Sequence, residues 1–261
     1  MKQILLWTLS IFTIGMLNSG CSKKDNNTTT APVTDSGQLN FHVHTNLGDE
    51  EVDDYNTVYT MKDNRKVSLS LAQFYISGIE LVKTDGSVYT VPDFTLLKVL
   101  ELESYVIANV PVGTYKSVRF KIGLDNATNS KDAAGNDLLN HPEMWFNTAA
   151  QPDGYVYLHA AGKIDTTTGA TGSESQMQPF VYKIGTAAHY VEIDMPDHDP
   201  AYSITKGASV FVHLIFDYNQ LFDGILLNNP ANLKVSSKTD NTGPLSTQIA
   251  NNIVKGFSYE E

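Results

Sequence analysis

The feature that most restricts this chain is a recurring short run rich in β-branched and aromatic residues, each closed by a turn signal. Such runs occur at Leu39–His44, Val67–Leu81, Val88–Val91, Tyr105–Val110, Ser117–Gly123, Tyr155–Ala160, Phe180–Ile184, Tyr190–Asp194 and Ala208–Tyr218. Their composition reads as strands. Between them lie Thr84-Asp85-Gly86, Pro111-Val112-Gly113-Thr114, Gln151-Pro152-Asp153-Gly154 and Ile204-Thr205-Lys206-Gly207, which supply the residues that tight turns require. No long segment carries helical periodicity, so the chain is read as all-β, a sandwich or a barrel. Short helical turns are expected at Ala72–Tyr75, Asn219–Asp223 and Thr247–Asn252, where the alternating pattern lapses.

Two runs have informative faces. Leu39, Phe41 and Val43 alternate with Asn40, His42 and His44, so the period of two in a strand places both histidines on its polar side. Ser209–Asp217 (SVFVHLIFD) is apolar on both faces and reads as a central core strand, with His213 among its apolar neighbours. Two connections are long, Ala127–Gln151 and Asp165–Pro179. Loops of that length are commonly functional or disordered, and the first holds Asp132, Asn136, Asp137, His141, Glu143, Met144 and Trp145.

The N-terminus has the form of an export signal. Lys2 precedes an apolar run from Ile4 to Met16, and small residues Ser19 and Gly20 stand directly before Cys21. That run is too short for a mature membrane span. Cys21 is the sole cysteine, so it is read as a lipidation site, with membrane anchoring through its lipid. The usual lipobox leucine stands three places before the cysteine; here Asn18 holds that place and Leu17 lies one further back. A secreted chain with Cys21 as a stray thiol is the alternative. Residues 22–37 lack large apolar side chains except Val33 and read as a disordered tether. The expected organisation is therefore a signal peptide over 1–20, a tether over 21–37 and one β domain over 38–261.

A net charge of −11, from 29 acidic and 18 basic residues, argues against nucleic acid as a partner, because phosphate binding needs clustered Lys and Arg. An acidic surface is also repelled by anionic headgroups, leaving the anchor to Cys21.

Histidines at i and i+2 on a strand leave on one face, and imidazole suits copper or zinc. His42 and His44 have that spacing, though a solvated strand face explains it equally well. His213 reads as a hydrogen-bonded core histidine. His159 shares a face with Tyr155 and Tyr157, as a ligand or an aromatic-edge contact. The acidic run Asp49, Glu50, Glu51, Asp53, Asp54 lacks the spacing and glycine of a calcium loop and reads as a solvated loop; Asp197-His198-Asp199-Pro200 reads as a polar turn. Catalytic motifs are missing: there is no G-x-S-x-G, no H-E-x-x-H and no glycine-rich phosphate loop. The chain is expected not to be an enzyme.

Five stretches in order resemble the MbnP-like family, exported copper-binding β proteins associated with methanobactin systems and common as lipoproteins in Bacteroidetes-type bacteria. They are Val67–Leu81 followed by Asp85-Gly86; Val112-Gly113-Thr114-Tyr115 leading into Val118–Asp125; Met144-Trp145 with Gly154-Tyr155; Val212-His213-Leu214 through Leu221-Phe222-Asp223-Gly224; and Ile249-Ala250-Asn251-Asn252. The resemblance implies an immunoglobulin-like antiparallel β-sandwich with long loops and short helical turns. It also implies copper held by histidines and a tryptophan oxidised to kynurenine by a partner dihaem enzyme. On that implication His213 and one of His42 or His44 are ligands, Met144 is a soft neighbour, and Trp145 is the modified residue.

The chain departs from the family pattern in two places. Gly154-Tyr155-Val156-Tyr157-Leu158-His159-Ala160-Ala161-Gly162 loses a glutamate and gains His159, and Tyr182-Lys183-Ile184-Gly185 has lysine for histidine. Lysine at neutral pH is a protonated non-ligand, so a rearranged site using His159 is one expectation. The functional expectation is a lipid-anchored copper-handling protein of the bacterial cell envelope, on the periplasmic face or the outer-membrane surface. The rival is a metal-free lipoprotein that binds a glycan, peptide or partner protein through loops, with Trp145, Phe146, Tyr155 and Tyr157 as an aromatic platform.

Overall fold

Long strands with one inward face need a second layer to cover that face, and the computed structural model, which describes residues 35–147 and 154–260, provides it. The export signal, Cys21 and most of the tether lie outside the described residues. The described part belongs to one compact unit, Thr34–Glu261.

In chain order the first eight strands are β1 (Ser36–Leu47), β2 (Glu50–Glu51), β3 (Tyr59–Thr60), β4 (Lys66–Lys83), β5 (Val88–Thr90), β6 (Thr95–Lys98), β7 (Ser104–Pro111) and β8 (Gly113–Ile122). They are followed by β9 (Val156–Asp165), β10 (Met177–Gly185), β11 (Val191–Asp194), β12 (Tyr202–Ile204), β13 (Ser209–Asp217), β14 (Lys234–Val235) and β15 (Phe257–Tyr259). Two α-helices, α1 (Asn126–Asn129) and α2 (Pro244–Gly256), accompany short 3₁₀ turns. Among the described residues no helix is long and apolar enough to cross a membrane.

The strands form two sheets in a sandwich-like, all-β arrangement. The five-stranded sheet runs β15-β13-β1-β2, with β7 also paired to β1. The ten-stranded sheet runs β11-β8-β4-β9-β10-β14, with β12 on β8 and β3, β5 and β6 on β4. Most pairings are antiparallel, but β1 and β13 run parallel over Gln38–Asn46, and β10 and β14 are also parallel. The fold is the all-β sandwich expected, mostly antiparallel, with these two parallel pairings within it.

Aromatic side chains join the sheets: Phe41 meets Phe120 at 6.1 Å between ring centroids, and Phe74 meets Phe216 at 5.1 Å. Edge-on packing of this kind adds to the burial of apolar area. The core strand β4 also explains one misreading. Ala72–Tyr75 is extended rather than a helical turn, because Ala72, Phe74 and Ile76 face the main core while Tyr75 faces a second core holding Leu139, Met144, Trp145, Tyr155 and Tyr157. Burial on both faces erases the alternation by which a half-buried strand is recognised. The other two helical expectations have counterparts in the 3₁₀ segment Tyr218–Phe222 and in α2.

β13 differs in the opposite sense. Val212, Leu214 and Phe216 point inward, whereas Phe211 is 44% exposed and His213 lies on the outer face. His213 is therefore not a core histidine. Of the apolar residues on that side of β13, Phe211 is exposed and Ile215 is partly buried.

Candidate metal centre

β1 lies at the centre of the five-stranded sheet, with β13 on one side and β7 and β2 on the other. Leu39, Phe41, Val43, Thr45 and Leu47 are buried beneath it, which turns His42 and His44 outward. The parallel register pairs His42 directly with His213, so all three imidazoles share one face. Their rings are close, with centroids 4.4 Å apart for His42 and His44 and 5.0 Å for His42 and His213.

Three glutamates surround them. Glu51 on β2 stands opposite Asn46 of β1. Glu103, just before β7, is fixed by its carbonyl accepting from the Val43 N–H at 2.9 Å. Glu260, just after β15, donates its backbone N–H to the His213 carbonyl at 3.3 Å. Every strand of the sheet thus places an imidazole or carboxylate on this face, either on the strand or on the residue beside it.

The contacts are specific by atom. His42 Nδ1 is 3.2 Å from His213 Nδ1, and its Nε2 is 3.1 Å from Glu103 Oε2. His44 Nδ1 is hydrogen-bonded to Glu51 Oε1 and 3.7 Å from Glu103 Oε1. His213 Nδ1 is 3.0 Å from Glu260 Oε2. His44 Nε2 lies 3.2 Å from the same Glu260 oxygen but out of line for a hydrogen bond, and it is a buried nitrogen without a hydrogen-bond partner. One ligand atom from each of His42, His44, His213 and Glu260 lies within 4.8 Å of every other, and His44, Glu51 and Glu103 form a second such group. Side-chain exposure rises from 13% at His44 to 24% at His42 and 45% at His213, so the cluster opens outward past His213.

The electrostatics favour positive charge. Burial by itself lowers the pKa of His44, but the hydrogen bond and charge of Glu51, followed by Glu260 and Glu103, outweigh it and raise the pKa above the ordinary value. A cation placed among these groups meets the same field. Three imidazole nitrogens with one carboxylate suit a transition metal such as copper or zinc, and His44 Nε2, which has no hydrogen-bond partner, offers a lone pair to it once the ring is neutral.

His159 does not join this cluster. It lies on β9 in the other sheet, 7% exposed, with Nδ1 2.7 Å from the Glu143 carbonyl. Burial first, then the neighbouring Lys183, pushes its pKa down to about 4. Lys183 stands beside His159 in register and donates to the Trp145 carbonyl at 2.8 Å. His159 is thus held as a neutral core histidine. Trp145, 7% exposed, donates its indole N–H to the Leu139 carbonyl at 2.9 Å, and Met144 is fully buried beside it. No described contact links Met144, Trp145 or His159 to the three-histidine face. The aromatic platform is corrected as well: Trp145, Tyr155 and Tyr157 are core residues, because this segment closes over the ten-stranded sheet.

Sequence reasoning missed Glu51, Glu103 and Glu260. A hairpin after Leu47 turning at Gly48 was legible and could have found Glu51. Glu103 and Glu260 arrive from far along the chain with no local signal.

No curated protein matches the chain in sequence. Among solved structures, MbnP from Methylosinus trichosporium is similar at 14% identity, with a TM-score of 0.48, covering 72% of this chain and 78% of that one. The family profile described as MbnP matches residues 36–241, a span that holds both sheets' long strands and all three clustered histidines. The chain therefore belongs to the MbnP family.

Proposed function

We propose that this protein is a non-enzymatic copper-handling protein that takes the ion on the outer face of its five-stranded sheet. The observation that carries the reading is the meeting of His42, His44 and His213, from two adjacent parallel strands, around a buried His44 Nε2 that has no hydrogen-bond partner. Membership of the MbnP family supports copper over zinc, since the family resemblance is to copper-binding proteins. Copper here is cargo: bound, it is withheld from chemistry in free solution, while half-exposed His213 leaves a path for exchange.

On the same reading the protein sits in the cell envelope, anchored by lipid on Cys21. Trp145 is the residue a dihaem partner would oxidise under the family resemblance. Mass spectrometry of the peptide containing it, in protein from the native host, reads that step.

The test is copper titration of the Thr34–Glu261 unit against a competing chelator, with the ion supplied in each oxidation state. One equivalent bound tightly, with affinity lost in His213→Ala and retained in His159→Asn, supports the reading. Failure of the wild-type protein to compete in either state refutes it.

A further inference from the structure

The three histidines present two ring nitrogens each, and the structure distinguishes them. Glu103 holds His42 at Nε2, and Glu51 holds His44 at Nδ1. A carboxylate accepts, so each of those nitrogens carries the proton. With the rings neutral, the opposite nitrogens, His42 Nδ1 and His44 Nε2, are the lone pairs that a metal would take, and they are turned toward His213 Nδ1 and Glu260 Oε2. Four electron-rich atoms converge, and His213 Nδ1 can bring only one proton to share between His42 Nδ1 and Glu260 Oε2. His44 Nε2 faces the Glu260 carboxylate at 3.2 Å without a hydrogen bond. Four donor atoms within 4.8 Å of one another repel unless positive charge sits among them, and a metal ion supplies it by displacing the proton.

Resting on the copper reading above, we infer that Glu260 is a direct oxygen ligand completing a three-nitrogen, one-oxygen site for copper(II), and that Glu103 and Glu51 position the ligating tautomers of His42 and His44. The carboxylate decides the oxidation state. A charged oxygen donor is hard and favours the divalent ion, whereas the softer monovalent ion favours thioether and thiolate, and the chain's candidate thioether, Met144, is buried in the other core. Carboxylates on the far nitrogen of a ligating histidine fix its orientation and raise its basicity. Glu260, the residue after β15, lies outside the span of the family match at residues 36–241.

The test compares copper(II) and copper(I) dissociation constants, measured with separate competitors, for the wild-type Thr34–Glu261 unit and for Glu260→Gln, Glu103→Gln and Glu101→Gln. Electron paramagnetic resonance of the copper(II) forms accompanies the titrations. Glu101→Gln removes the same charge from an exposed residue outside the cluster and controls for the general field. Loss of Glu260 as a ligand is expected to weaken copper(II) by about tenfold or more, to leave copper(I) nearly unchanged, and to alter the copper hyperfine splitting. Glu103→Gln is expected to weaken both ions by about tenfold while the spectrum keeps its oxygen-donor character. Glu101→Gln should change neither. Equal effects of Glu260→Gln and Glu101→Gln, or an unchanged spectrum in Glu260→Gln, overturn the ligand assignment while leaving histidine copper binding intact. A wild-type protein that binds neither ion overturns the copper reading and this inference together.

Discussion

The buried state of His159 gives a quantitative test of the correction that removed it from the metal centre. Its folded pKa is about 4, against an ordinary histidine value near 6.5 in the unfolded chain. The unfolded chain therefore binds the proton more readily between those limits, and stability rises with pH there. Above the unfolded value nothing is lost; as pH falls toward about 4, the penalty accumulates. The full difference of about 2.5 pH units corresponds to roughly 3 kcal/mol, of which about 2.5 kcal/mol is already lost near pH 4.5. For a domain of this size that is about 5–10 °C in Tm.

The perturbation is His159→Asn, which retains a donor in place of Nδ1–H for the Glu143 carbonyl and removes the titration. Urea denaturation of both proteins, metal-free, from about pH 7.5 down to about 4.5 is the assay. Asparagine fills less space and costs a constant amount, while carboxylates shared by both proteins cancel in the difference. The two stability curves should converge by about 2.5 kcal/mol on acidification. Parallel curves would falsify the buried, neutral assignment and return His159 to the pool of accessible ligands.

Three further outcomes follow from the same structure. Copper at a hundredfold excess over its dissociation constant should stabilise the domain by about 2.7 kcal/mol, read as a rise in Tm that His42→Ala and His213→Ala abolish; persistence of the rise in both variants would place the ion elsewhere. Gly123→Ala should cost about 2–4 kcal/mol in urea denaturation, because φ is +125° and a Cβ would stand 2.5 Å from the Tyr157 ring; a neutral effect would contradict that close approach. Trp145→Phe loses the indole hydrogen bond to Leu139 and should cost about 1–2 kcal/mol while leaving copper affinity within a few-fold, and a large loss of affinity would mean that the two regions are coupled.

Much of the fold was legible because half-buried strands alternate. Leu39, Phe41 and Val43 against His42 and His44 specified which face of β1 is wet, and the turn residues marked where β4 stops and where β8 and β9 begin. Where a strand was buried on both faces, as at Tyr75 in β4, the alternation vanished and a helical turn was read instead. Where apolar residues faced solvent, as at Phe211 in β13, a surface strand looked like a core one.

The sequence by itself determined the all-β character and the common face of His42 and His44, because each depends on residues close together in the chain. Only the tertiary structure decided the rest. Parallel pairing of β1 with β13 places His213 beside His42 across 171 positions. Pairing of β15 with β13 brings in Glu260, and β7 brings in Glu103. Which of the seven histidines meet depends on strand order and register, set by how the whole apolar surface is buried, and no local pattern encodes that.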